Sequence, residues 1–525
     1  MITLMHLMAA ATIAAPVGAS GAPGAMRGPV TLPAHDDTVR IITLPEEGSP
    51  FIAFNFWVKT GSQDDPQGKE GLAALTASLI AQGSSRSRSY QDILEALYPM
   101  ATGYGSSVDK EMTVFRGVVH KDNLEEFYQL LSQALLEPAF SEEDFKRVKN
   151  QTMNFLERGR RYNRDEELSK ELLYWMAYQG TPYEHPEEGY VQSVKSITLD
   201  DVKDFYRTHY LANNIVVAVG GGYPEGFPQR VRADVDAALP TGTVTRVSAP
   251  QPEMPDGVKV LIVDKNTDAT AISMGFPIPL VRGDNDFVAM MVVNSWFGEH
   301  RNSFSHLYQV IRERRGMNYG DYSYIEPFPL GYTTQQRPVN YARRSNLFEI
   351  WIRPVSLTSP TDLHDRALFA TRAAWRELDR LVREGLPEDQ VERTKKFLYN
   401  FSLTYGSTIG RRLAYAVDDA FYGLKPGYLE MIRPGLAELT KEKVDAAIRR
   451  NLQAKNMYLV FITRDAEGMK EKLLSGEPTP ITYAGTPSPE IQAEDKEIAA
   501  FPIPVRAEDI TILPISQVFE GRKPD

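Results

Sequence analysis

Residues 61–84 read GSQDDPQGKEGLAALTASLIAQGS, and the fold follows from how this stretch is parsed. Gly61–Gly71 is a polar turn rich in glycine, aspartate and proline, and it launches an apolar helix that stops at Gly83. Leu72, Leu75 and Leu79 recur on one helical face, so the helix is built to be buried. Ahead of it, Arg40–Leu44 and Phe51–Val58 carry the β-branched and aromatic content of strands.

Working outward, Tyr90–Tyr98 is a second helix ended by Pro99. Gly103-Tyr104-Gly105-Ser106-Ser107 then leads into Val108–Val119, whose alternation predicts one half-buried strand entered through glycines. Ser141 caps a helix running to Glu157, with acids in its first turn, and helices follow at Asp165–Tyr178 and Asp200–His209. Ile215–Val219 is a returning strand. Strands, then helices, then a strand suit an α+β layer of helices on a mostly antiparallel sheet.

The same element order recurs after a proline-rich break. Val258–Val263 and Ala269–Phe276 read as strands, and Asp286–Phe297 and Leu307–Arg315 as helices. Phe348–Arg353 is a strand, and long helices follow at Leu363–Arg383 and Pro387–Tyr405. Lys441–Asn451 and the strand Met457–Thr463 close the second half. The expected division is therefore 1–26 as a signal peptide or unordered N-terminus, 30–239 and 258–475 as two similar halves, 240–257 as a linker, and 476–525 as an extended proline-rich tail lying over the surface.

Composition narrows the chemistry. The 525 residues suggest more than one core, and 42% hydrophobic with 24% charged residues is an ordinary globular balance. A net charge of −11 argues against a nucleic-acid partner. With no cysteine, disulfides, thiolate catalysis and cysteine metal sites are excluded. Leu4–Val17 has the length of a signal-peptide core, with small residues at Val17-Gly18-Ala19 but no basic leader before Arg27. That favours a periplasmic or secreted location, with the cytoplasm as the alternative. No run reaches the ~18 apolar residues of a membrane span.

None of the eight histidines stands four from another, so no helical histidine pair for zinc exists. Gly220-Gly221-Gly222 opens no helix and is a weak phosphate-loop signal, and no G-x-S-x-G elbow occurs. Leu307–Arg315 gathers arginines in its last turn, where cations suit the helix dipole, and Gly316 supplies the cap.

The phrasing of Gly61–Ser84, of His209–Gly222 ahead of the linker and of Arg312–Tyr322 resembles the insulinase/pitrilysin family of zinc peptidases, the inverzincins. In that family the helix carries H-x-x-E-H, two zinc-holding histidines and a glutamate that activates water. Laid on the motif, the positions here are Ala74, Ala77 and Ser78. Two methyl groups and a hydroxyl cannot hold zinc at neutral pH. The family's third ligand, a later glutamate, falls on Glu157 when counted without gaps. The strand entered at Gly103–Ser107 matches the edge to which substrate adds as an extra strand. Arg312 and Tyr319, seven apart around an R-G turn, match a pair that reaches from the second half toward a zinc site, Arg as a planar fork of donors and Tyr as one donor to a developing oxyanion.

The resemblance implies a zinc-less subunit of a two-chain metallopeptidase. Such a chain holds no cofactor of its own and lends Arg312 and Tyr319 to a homologous zinc-bearing partner, with peptides as substrates. The alternative is an inactive scaffold of the same family, and a self-sufficient peptidase with another site is a third reading. The implied architecture is two α+β halves, each a mostly antiparallel sheet with helices packed on one face, facing each other across a chamber.

Overall fold

The computed structural model describes residues 38–329, 334–356, 364–483 and 485–521. The first sheet takes β1 (Ile41–Pro45), β2 (Phe51–Val58), β3 (Tyr104–Val108), β4 (Thr113–His120) and β5 (Ile215–Gly221) in the order β1-β5-β2-β4-β3. Only β1 with β5 is parallel; the other pairings are antiparallel. The second sheet takes β6 (Val258–Asp264), β7 (Ala269–Ile278), β8 (Asp321–Tyr324), β9 (Asn346–Ser356), β10 (Met457–Thr463) and β11 (Ile510–Pro514), ordered β11-β6-β10-β7-β9-β8. This is the two-halved α+β architecture expected from the sequence.

How the halves are joined follows from β2. Its sequence FIAFNFWV is apolar on both faces, and such a strand needs cover on both. Ile52, Phe54, Phe56 and Val58 turn to the helices of their own half, including Leu72–Gln82. Ala53 and Trp57 point the other way and are sealed by Ile409, Leu413, Val417 and Phe421, on a helix of the second half, Ile409–Tyr422. The exchange is reciprocal. Val460 and Ile462 of β10 are covered by Leu168 and Leu172, on the helix Asp165–Ala177 of the first half. Each large buried side chain of this kind is worth roughly 1.5–3 kcal/mol, so the halves stabilise one another through two apolar seams.

Two expectations are corrected. The strand expected over Val108–Val119 is two strands, β3 and β4, joined by a turn at Asp109–Met112. The turn is buried although it carries three charges, Asp109, Lys110 and Glu111, because all three find partners from distant segments. The segment beyond Glu477 is not an extended surface tail. It forms a helix, Pro489–Ala499, and then β11, which pairs in parallel with β6. Val518 and Phe519 are buried beyond it. The proline-rich composition conceals a short apolar strand that fits an open sheet edge.

Candidate functional site

The helix Leu72–Gln82 is held at its start by two devices. Asp65 accepts hydrogen bonds from the backbone N–H groups of Gly71 and Ala73, each at 2.7 Å. Gly71 has φ 98°, and a Cβ there would lie 2.5 Å from the carbonyl oxygen of Glu188. Glycine is therefore required where the turn meets the loop at 188–189. The helix so placed presents Ala74 and Ser78 to a cleft of about 330 Å³. Ala77 turns away into the core, and its carbonyl accepts a bond from Ser106 Oγ at 3.1 Å.

The cleft lies where the halves meet. Its walls include Ser106 and Ser107 of β3, Lys170 and Glu171 from the helix Asp165–Ala177, the loop around His185, and Phe328, Tyr341 and Arg343 of the second half. Among the described residues β3 is the last strand of its sheet, so one row of its backbone groups has no neighbouring strand there. Gly103 and Gly105 have open space where a Cβ would stand. Tyr104 packs edge-on against Phe127.

Buried ion pairs organise this space. Arg343 bonds Asp109, with Nε to Oδ2 at 2.8 Å, and reaches Glu187 at 3.0 Å. Lys110 reaches the same Glu187 at 3.2 Å. Arg344 pairs with Glu111 at 2.6 Å. Burial would raise the Glu187 carboxyl, but Lys110 and Arg343 hold it down to about 2. Burial, with help from Lys110, lowers His185 to about 4. Glu171, buried beside Arg160 at 2.7 Å, is pushed by desolvation up to about 8.

Glu157 is not among the cleft's lining residues. It pairs with Lys195 at 3.1 Å on a half-exposed surface. Glu157 itself lies in a wide π-type turn, Phe155–Arg160. Glu171, by contrast, lines the cleft together with Ala74, Ser78, Asp109 and Glu187. The donor set at the metal-helix positions, two methyls and a hydroxyl, does not fit zinc. Among the described residues no group of three or more metal-ligating side chains is assembled.

Arg312 and Tyr319 are brought together outside this cleft. Arg312 sits in a wide turn, Tyr308–Glu313, with its guanidinium 5.5 Å from the centre of the Tyr319 ring. Tyr319 is 78% exposed. Asn318, buried below, bonds Asp321 at 2.7 Å and the Arg353 carbonyl at 3.2 Å and so fixes the turn that displays it. Sequence reasoning missed Asp109, Glu111, Glu171, Glu187, Arg343 and Arg344. The only local signal was a run of three charges, 109–111, inside an otherwise strand-like alternation.

A two-lobed α+β chain with an interlobe cleft, an open edge strand and a helix bare of metal ligands defines the class. The insulinase (peptidase family M16) model matches residues 40–189, and the peptidase M16 inactive domain model matches residues 196–398. The chain belongs to the insulinase family. It is similar to an uncharacterized zinc protease of Streptomyces coelicolor, 25% identical over 373 residues, which is 68% of this chain and 74% of the relative. It is also similar to a probable mitochondrial-processing peptidase subunit beta of Arabidopsis thaliana, 23% identical over 262 residues, 50% of this chain and 49% of that one. Among solved structures, a peptidase M16 inactive domain from Pseudomonas fluorescens superposes with a TM-score of 0.69 at 22% identity, over 83% of this chain and 97% of that chain. Among the described residues no helix is long and apolar enough to cross a membrane.

Proposed function

We propose that this chain is the zinc-less subunit of a two-chain insulinase-type peptidase, working outside the cytoplasm beside a homologous chain that carries H-x-x-E-H. The observation that carries the reading is a contrast between two family sites in one chain. At Ala74 and Ser78 the metal chemistry is gone, whereas Arg312 and Tyr319 stand together with the phenol in solvent. An exposed arginine–tyrosine pair of this kind can bind a peptide carbonyl and donate to the oxyanion that forms as water adds to it. The partner supplies the metal and the water. In this chain, β3 offers an unpaired strand edge on which a peptide can lie.

A specific observation also favours a second reading, an inactive assembly subunit. The cleft at the stripped helix is crossed by ion pairs of Arg343 with Asp109 and Glu187, and of Arg344 with Glu111, that bind the two halves to each other. Such a network serves a scaffold as well as a catalyst.

The test is to purify this chain alone and mixed with a family chain that carries H-x-x-E-H. The reading expects no stoichiometric zinc and no peptide hydrolysis from this chain alone, and turnover above that of the zinc-bearing chain on mixing. Hydrolysis by this chain alone, with about one zinc per chain retained through gel filtration, would overturn it.

A further inference from the structure

The C-terminal segment, 485–521, lies beyond both family matches and touches both functional regions of the molecule. At one end, its helix Pro489–Ala499 packs on the helix Asp365–Glu384 and reaches Arg315, just past the wide turn Tyr308–Glu313, through side chains. The Arg315 side chain is fully buried and makes a three-way junction. Its Nε donates to Asp495 at 2.8 Å, one terminal nitrogen to Glu494 at 2.7 Å, and the other to the Val310 carbonyl at 2.7 Å. Asp495 is itself held by the Tyr483 hydroxyl at 2.7 Å. Val310, Ile311 and Ile498 share one apolar core.

The segment then crosses the second sheet as β11 and reaches the first half. There Arg161 Nε donates to the Val518 carbonyl at 2.8 Å and pairs with Glu520 at 2.7 Å. The backbone N–H groups of Val191 and Gln192 donate to the carbonyls of Phe519 and Glu520 at 3.0 and 2.9 Å. These contacts lie next to Arg160, the partner of Glu171 in the cleft.

We propose that residues 485–521 form a strap that fixes the Arg312–Tyr319 turn in place, with Arg315 as its positioning residue. Arg315 lies between the two members of the pair, three residues after Arg312 and four before Tyr319. It is tied to both the wide turn carrying Arg312 and the strap. A buried guanidinium deprived of its carboxylates cannot keep this geometry, because its charge is then uncompensated. The turn above it loses the constraint that holds the phenol in position. The proposal rests on Arg312 and Tyr319 being the acting pair, but its physical content is testable without a partner.

The experiment is hydrogen–deuterium exchange on the full chain, comparing wild type with the Glu494→Gln/Asp495→Asn double variant. Exchange in peptides covering 308–320 is expected to quicken by about tenfold or more, while 104–120 and 165–177 keep their wild-type rates. Unchanged exchange in 308–320 overturns the proposal. Equal acceleration of all three segments also overturns it, because that is global destabilisation and not positioning. No substrate or second chain is needed, so this result is separate from whether Tyr319 acts in catalysis, which Tyr319→Phe in the mixed complex decides.

Discussion

Arg343→Met tests how the halves are held at the cleft. Arg343 is 7% exposed, and its guanidinium lies against Asp109, itself 2% exposed, and Glu187. Removing it leaves Glu187 with Lys110 at 3.2 Å but strips Asp109 of its guanidinium partner. Breaking a buried pair from one side costs about 3–5 kcal/mol, because the remaining charge is left desolvated. The same argument predicts that adding Asp109→Asn recovers part of the loss, since the amide carries no charge to compensate. The assay is urea unfolding followed by both tryptophan fluorescence and far-ultraviolet dichroism, so that a first transition limited to one lobe is seen as such. A loss below about 1 kcal/mol for the single variant, or a double variant as unstable as the single, refutes the argument.

Other outcomes follow from the same structure. Leu413→Ala, at the seam between the second-half helix and the first sheet, should cost about 2–5 kcal/mol in the same assay. Expressed apart, 38–256 and 257–521 each leave an apolar sheet face uncovered, so each should aggregate or stay unfolded alone and become soluble on co-expression. Glu187 is depressed to about 2, so its contribution is present above the ordinary carboxylate range and is lost as pH falls toward that value. His185 is kept neutral, its pKa lowered to about 4, and likewise stabilises above the ordinary histidine value of 6.5 and loses that contribution between 6.5 and 4. Glu171, raised to about 8, works the other way and gains stability on acidification, so the His185 contribution is read as a difference: the wild-type unfolding midpoint should fall relative to that of His185→Gln as pH drops from 7 to 4. A wild-type midpoint that holds or rises relative to the variant's over that range contradicts the His185 assignment.

The helix Leu72–Gln82, the strand β2 and the repeated element order were legible because hydrophobic periodicity and turn residues are local signals. Arg312 and Tyr319 were singled out by the family resemblance of the stretch around Gly316, and their side chains lie together, the guanidinium 5.5 Å from the ring centre. The exchange of helices between halves was not legible. Leu168 and Leu413 show only that a face is buried, and not which sheet buries it. The Asp109–Met112 turn was hidden for a related reason. Its acids Asp109 and Glu111 are satisfied by Arg343 and Arg344, more than two hundred residues away along the chain, and Lys110 by Glu187, so locally it resembles a strand interior. Glu171 was missed because nothing in its local sequence marks it as a glutamate whose side chain lines the cleft. β11 was missed because proline-rich flanks masked a short Ile-Thr-Ile-Leu run whose partner, β6, is contributed from far upstream.

The central claim is that this chain lends a working arginine–tyrosine pair to a zinc site it does not itself contain. Turnover by the mixed complex carrying Tyr319→Phe measures that most directly. The ring is 78% exposed, and the substitution removes only the hydroxyl, so folding and association should be unchanged. Losing one oxyanion donor costs about 2.7–4 kcal/mol, so kcat should fall on the order of a hundredfold or more. Normal assembly with wild-type turnover would contradict the account and leave this chain a scaffold.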